Sequence, residues 1–145
     1  YKETYRASGS IPASELKNVG GDRNYSTAIY FLLTADNFSA FHRIKSDEMW
    51  HFYDGDGLTI HEINENGSYT KHQLGLDLEG VEEPQLVVKV KSWFASEIKD
   101  GGAWCLVGCT VSPGFDFEDF EMPRRKVLVE QYPEQTELIT RLTRG

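Results

Sequence analysis

Short runs of strand-like pattern, separated by polar turns, fill the chain as far as residue 111. Successive side chains leave a strand on opposite faces, so a half-buried strand alternates apolar and polar positions, and a fully buried one is apolar throughout. "QLVVKVK" (residues 85–91) alternates cleanly, "KETYRA" (2–7) weakly, and "STAIYFLL" (26–33) is nearly continuous. "EMWHFY" (48–53), "LTIHEI" (58–63), "YTKHQL" (69–74), "WFASEIK" (93–99) and "AWCLVGCTV" (103–111) complete the set. Between them stand turn sequences: "DGDG" (54–57), "NENG" (64–67) with its Asn66-Gly67 pair, and "DGG" (100–102). Glycine tolerates the positive φ that such turns demand, and Asn-Gly is a strong hairpin signal.

The period changes after residue 111. "SPGFDFEDFEM" (112–122) reads as a loop rich in phenylalanine and acid. "PRRKVLVEQY" (123–132) and "PEQTELITRLT" (133–143) read as helices, each opened by a proline at a position a first turn allows. Leu138, Ile139 and Leu142 share one apolar stripe on the second. Short strands at regular spacing, followed by helices, predict one mainly β domain over 1–145. A jelly roll is expected, with the helices covering one end or one sheet.

Composition narrows the function. A chain of 145 residues with 39% hydrophobic content can build one core. The net charge is −8, with no basic patch to neutralise phosphates, so neither a nucleic acid nor an anionic membrane is an expected partner. Arg124, Arg125 and Lys126 read as a solvated helix face. No apolar run approaches the roughly 20 residues that span a bilayer. Cys105 and Cys109 would stand about 13 Å apart in a strand. A disulfide needs Cα atoms within about 7 Å, so both thiols are expected to be free, as in a reducing compartment. The Asn-x-Ser tripeptides at Asn24, Asn37 and Asn66 point weakly the other way, and a cytoplasmic location is kept.

The densest chemistry is "FHRIKSDEMWHFYDGDG" (41–57). His42, three residues, Lys45 to Ser46 to Asp47 after Arg43-Ile44, then Glu48, six residues and Gly55 resemble the first motif of the cupins, with Ile44 where that motif has a second histidine. "YKETYR" (1–6), "TAIYFLL" (27–33), "FHRIKSDEMWHFYDGD" (41–56) and "LVGCTVSPGFDFEDFEM" (106–122) are similar to one branch, the cupin-5 family, a domain of unassigned reaction. The resemblance implies a double-stranded β-helix barrel with C-terminal helices, commonly a homodimer. The family pattern begins slightly earlier, with a short helix, so it also implies that the N-terminus here is incomplete.

For metal-binding cupins the resemblance implies two histidines and a glutamate from the first motif and one histidine from a second. That second motif falls near Lys89 to Phe94, where lysines replace its proline and glycine and Phe94 replaces its histidine. His42 and Glu48 would be the surviving ligands, and two are fewer than the three that catalytic zinc sites use. His51 is expected on the opposite strand face from Glu48. No cofactor is therefore favoured.

In the barrel register that the resemblance implies, His42, Ile44, Glu48 and Trp50 face the interior. A buried carboxyl beside a histidine is the minimum equipment for moving a proton at neutral pH. Metal-free cupins that epimerise sugar nucleotides pair a histidine base with a tyrosine acid. They imply His42 as base, Glu48 as its partner, and Tyr30, Tyr5 or Tyr53 as acid. Arg6 or Arg43 would anchor a phosphate or carboxylate, and Trp50 and Trp93 would stack on a sugar or base. The expected ligand is a small polar, sugar-like or nucleotide-like molecule. The alternatives are a divalent-metal enzyme and a non-catalytic binding or assembly module.

Simpler roles stand beside these. Trp50, Trp93 and Trp104 are expected in the core, and His51, His61 and His72 at the surface or an interface. The Phe115–Phe117–Phe120 loop is expected to plug the barrel end with its acids in water, and Cys109 to be a small packed residue lacking a base to activate it.

Overall fold

The computed structural model describes residues 1–145. Eleven strands run in chain order: β1 (Lys2–Arg6), β2 (Ser10–Ile11), β3 (Arg23–Asn24), β4 (Thr27–Thr34), β5 (Phe38–His42), β6 (Asp47–Gly55), β7 (Leu58–Ile63), β8 (Tyr69–Leu74), β9 (Gln85–Val88), β10 (Trp93–Ile98) and β11 (Trp104–Ser112). Two short helices follow, α1 (Arg125–Gln131) and α2 (Thr136–Arg141).

The strands form two facing antiparallel sheets. One has the order β1-β4-β11-β6-β9 and the other β5-β10-β7-β8, with β2 and β3 paired separately. This crossed order is that of a jelly roll with C-terminal helices. Leu33, Trp50, Ile60, Val88, Phe94 and Val107 pack between the sheets. A second cluster lies on the outside of the smaller sheet, where Leu128, Ile139 and Leu142 of the helical segment cover Phe41, Ile63 and Trp93. Both faces of β7 are therefore covered, and all six of its residues are buried. The helices thus cover a sheet, and the stripe expected from the helical period is what they bury.

Local rules account for most boundaries. Gly67 ends the β7–β8 turn at φ 90°, and its N–H donates to the Asn64 carbonyl. Gly55 adopts φ 91°, where a Cβ would meet the Trp104 carbonyl oxygen at 2.5 Å. Strand β9 stops at Val88 rather than continuing to residue 91. There the N–H of Lys89 donates to Glu62 and that of Val90 to Asp47, so side chains replace the ladder, and Lys91 turns to φ 72°. Strand β5 was not legible, because "FSAFH" neither alternates nor runs apolar for long. Its pairing with β10 creates it.

Two expectations about single residues fail. Trp104 is not core: it is 41% exposed on the outer face of the larger sheet. His61 is not at the surface: it is 4% exposed, with Nε2 2.7 Å from Glu97 and Nδ1 2.7 Å from Tyr69. His72 is half-buried, with Nε2 2.7 Å from Glu62. Both histidines found carboxylates on neighbouring strands, which no local pattern encodes.

Candidate functional site

Alternation on adjacent strands builds one wall of a cavity inside the jelly roll. Strand β4 contributes Thr27, Ile29 and Phe31, β11 contributes Cys109 and Val111, and β6 contributes Glu48 and Trp50. Ser39, Ala40 and His42 of β5 face them, with Ile44 just beyond. Phe115, Phe117, Phe120 and Met122 close one side, and Tyr1 stands at the rim. The cavity holds about 280 Å³, and 12 of its 16 lining residues are hydrophobic. That volume is at the small end of ligand pockets.

His42 is held for a single role. Its Nδ1 lies 2.8 Å from the Ala40 carbonyl oxygen. A carbonyl can only accept, so Nδ1 carries the proton, and Nε2 is left as a bare acceptor in the neutral ring. The ring packs against Phe94 and Phe120, with centroids at 4.2 and 5.2 Å, which fixes its plane. Burial lowers the His42 pKa below its ordinary value, so the ring is neutral near pH 7.

Glu48 has the opposite bias. Burial pushes its carboxyl up to about 7. Its residual accessibility, like that of His42, belongs to a side chain that lines the cavity. The Trp50 indole N–H lies toward this carboxyl and opposes the rise. It forms no hydrogen bond of ordinary geometry and remains a buried donor without a partner. No lysine or arginine lines the cavity. Cys109 lies close enough for the Glu48 charge to be felt, and burial followed by that charge holds its thiol well above the ordinary value. It is an inert packed residue, not a nucleophile.

The structure divides the candidate residues. His42, Ile44, Glu48 and Trp50 come together at the cavity. Tyr30 and Tyr53 do not. They pack edge to face at 6.0 Å on the outer face of the larger sheet, because their neighbours Ile29, Phe31 and Phe52 turn inward. Tyr5 is likewise exposed, on edge strand β1. His51 also faces out, with Nε2 3.0 Å from the Thr110 hydroxyl. Trp93 lies in the cluster under the helices.

Both candidate anchoring arginines are already engaged. Arg6 donates to Glu3 at 2.6 Å, to Asn24 at 2.7 Å and to the Phe115 carbonyl at 3.1 Å. Arg43 donates to Glu121 at 2.8 Å and lies 4.1 Å over the Trp93 ring.

An ion pair with no local signal in the sequence anchors one side of the cavity. Arg23 on β3 grips Asp119 with two hydrogen bonds of 2.8 Å, and their side chains are only 4% and 6% exposed. Asp119 is thus buried, not in water as expected of the loop's acids. The loop is also tied by Phe115 N–H to Thr27 Oγ1, Gly114 N–H to the Asn24 carbonyl, and a reciprocal Arg43–Glu121 backbone pair. It therefore forms a wall that closes one side of the cavity with Phe115, Phe117 and Phe120. "DFED" was a readable cluster of acids, but nothing local pointed to a cation 96 residues away.

No group of three or more His, Cys, Asp or Glu side chains is placed to hold a metal. The positions where the motif resemblance expects two further histidines are Ile44 and Phe94, both buried. The residues present do not fit a transition-metal centre.

Comparison with known proteins agrees with this architecture. The family described as Cupin superfamily (DUF985) matches residues 1–123. A protein of Shewanella oneidensis is 38% identical, with 99% of this chain aligned to 85% of that one at a TM-score of 0.88. A hypothetical protein from Leishmania major is 31% identical, with 99% and 88% covered and a TM-score of 0.90. A dTDP sugar isomerase of Desulfovibrio desulfuricans shares the fold alone, at 12% identity, 84% and 83% coverage and a TM-score of 0.58. No curated protein matches the chain.

Proposed function

The chain belongs to the cupin-5 family of the cupin superfamily, matched over residues 1–123, and from that premise we propose that its barrel cavity binds a small molecule and moves a proton on it without a metal. One observation carries this reading: His42 presents a bare Nε2 in a neutral ring to the same cavity as a carboxyl whose pKa lies near 7. One group is a base and the other an acid at the same pH, which is the condition for abstracting a proton and delivering another. Isomerisation by proton transfer uses such a pair, and the sugar isomerase among the fold neighbours is compatible with that reaction class.

The cavity departs from the tyrosine-acid scheme. With Tyr30 outside, Glu48 takes the acid's role. A sugar nucleotide would also find no cation for its phosphates, since Arg6 and Arg43 are committed elsewhere.

Solvent exchange tests the reading without knowledge of the natural substrate. Small carbonyl compounds and sugars are incubated with the protein in D2O, and loss of carbon-bound protons is followed by NMR. Wild type is expected to exchange at least one compound, with the rate reduced at least about 100-fold in His42→Ala. No exchange by wild type, or equal exchange by His42→Ala, overturns it.

Assembly belongs to the same proposal. Tyr30, Leu32, Tyr53 and Trp104 form an exposed apolar face on the larger sheet, which a second copy of the chain would cover in a homodimer.

A further inference from the structure

The polar groups and the walls of the cavity together describe the molecule that fits it. The walls are aliphatic and aromatic: Ile29, Phe31, Val111, Phe115 and Phe120 surround the space. No cation lines it. An anionic ligand would lose its hydration with no partner in return, and would also face the Glu48 carboxyl. A sugar would bury a ring of hydroxyls against surfaces that cannot bond them, at a cost for each. An apolar body gains from the same walls.

The polar chemistry is concentrated in two groups, the His42 Nε2 acceptor and the Glu48 carboxyl. Ser39, Thr27 and, at the rim, Tyr1 are the other hydroxyl side chains lining the space, and Thr27 Oγ1 already accepts from Phe115 N–H. A complementary ligand therefore carries one acceptor for Glu48 and one acidic hydrogen for His42, on an otherwise apolar frame.

We infer that the cavity is built for a small uncharged carbonyl compound with an apolar or aromatic body, its oxygen facing Glu48 and its α-carbon facing His42. The inference rests on the acid–base reading above and assigns its substrate class. The chemistry balances without a co-reactant. His42 Nε2 takes the α-proton while the Glu48 carboxyl protonates the carbonyl oxygen, giving an enol. Where a β,γ double bond extends this enol to a dienol, delivery of the His42 proton to the γ-carbon and return of the enol proton to Glu48 complete a double-bond isomerisation with no change in oxidation state.

Four probes decide the class: acetophenone, ethylbenzene, benzoate and glucose, titrated into the full chain at pH 6.5 by calorimetry. Acetophenone is expected to bind about tenfold tighter than ethylbenzene, the equivalent of one hydrogen bond to a buried group. Benzoate and glucose are expected to bind at least tenfold more weakly still. Glu48→Leu should abolish the preference for the ketone over the hydrocarbon, and Glu48→Gln, which keeps a donor, should preserve it. Equal binding of acetophenone and ethylbenzene by wild type overturns the donor assignment but leaves a ligand cavity standing. Tighter binding of benzoate or glucose overturns the substrate class in the same way. Binding of none of the four overturns the class and the cavity reading together. If Glu48→Leu does not fold, the wild-type ranking and Glu48→Gln still decide.

Discussion

Burial keeps the Glu48 carboxyl protonated to about pH 7, where an ordinary glutamate titrates near 4.5. Between those limits the folded chain holds a proton that the unfolded chain has released. The free energy of unfolding must therefore fall as pH rises from about 4.5 to 7 and level off above, by an amount on the order of 3 kcal/mol. His42 works in the other direction over a lower range. Its pKa is depressed on folding, so its contribution rises with pH up to about 6.5 and is constant thereafter. Urea unfolding at pH 5 and pH 8 should show Glu48→Gln gaining stability over wild type at pH 8 and little at pH 5. An equal effect at both values would mean that the carboxyl is not held protonated. Cys109 shares this environment, and its raised thiol pKa predicts slow alkylation in the native state compared with the unfolded chain.

The loop 112–122 shows how one element is placed by another. Its phenylalanines turn toward the cavity, yet hydrophobicity alone does not fix a loop in register. The Arg23–Asp119 pair does, together with Arg6 on the Phe115 carbonyl and Thr27 on the Phe115 N–H. Removing one partner of a buried ion pair leaves an uncompensated charge, so Arg23→Met is expected to lose about 3–5 kcal/mol by chemical denaturation. The double variant Arg23→Met/Asp119→Leu should recover much of that loss, because it buries no charge. A single variant as stable as wild type would show that the pair does not hold the wall. On the opposite side, Arg141 of α2 bonds to Glu97, which in turn meets His61 and, through it, Tyr69. This chain of contacts crosses β10, β7 and β8, so the helix is fastened to the sheet by polar contacts as well as by Ile139 and Leu142.

At the scale of the whole molecule, the two faces of the larger sheet have divided the aromatic residues. Phe31, Trp50 and Phe52 face in, and Tyr30, Tyr53 and Trp104 face out. A homodimer across the outer face predicts that Leu32→Asp/Tyr53→Asp sediments as a monomer where wild type sediments as a dimer. Unchanged sedimentation of the double variant would exclude this face. No helix is long and apolar enough to cross a membrane. The sequence by itself determined the strand period, the glycine turns and the apolar stripe of α2, because each is written in residues a few positions apart, while the inward set His42, Ile44, Glu48 and Trp50 followed from the barrel register that the family resemblance implies. It did not determine strand β5, the end of β9, the burial of His61 and Asp119, or the commitment of Arg6 and Arg43. Those depend on partners brought together only by folding: Phe94 beside His42, Glu97 beside His61, Arg23 beside Asp119, Glu121 beside Arg43. The character of the cavity belongs to this second class. A motif names the acid and the base, but only the packed walls from four separate segments make the space around them apolar and free of cations, and that raises one pKa and lowers the other.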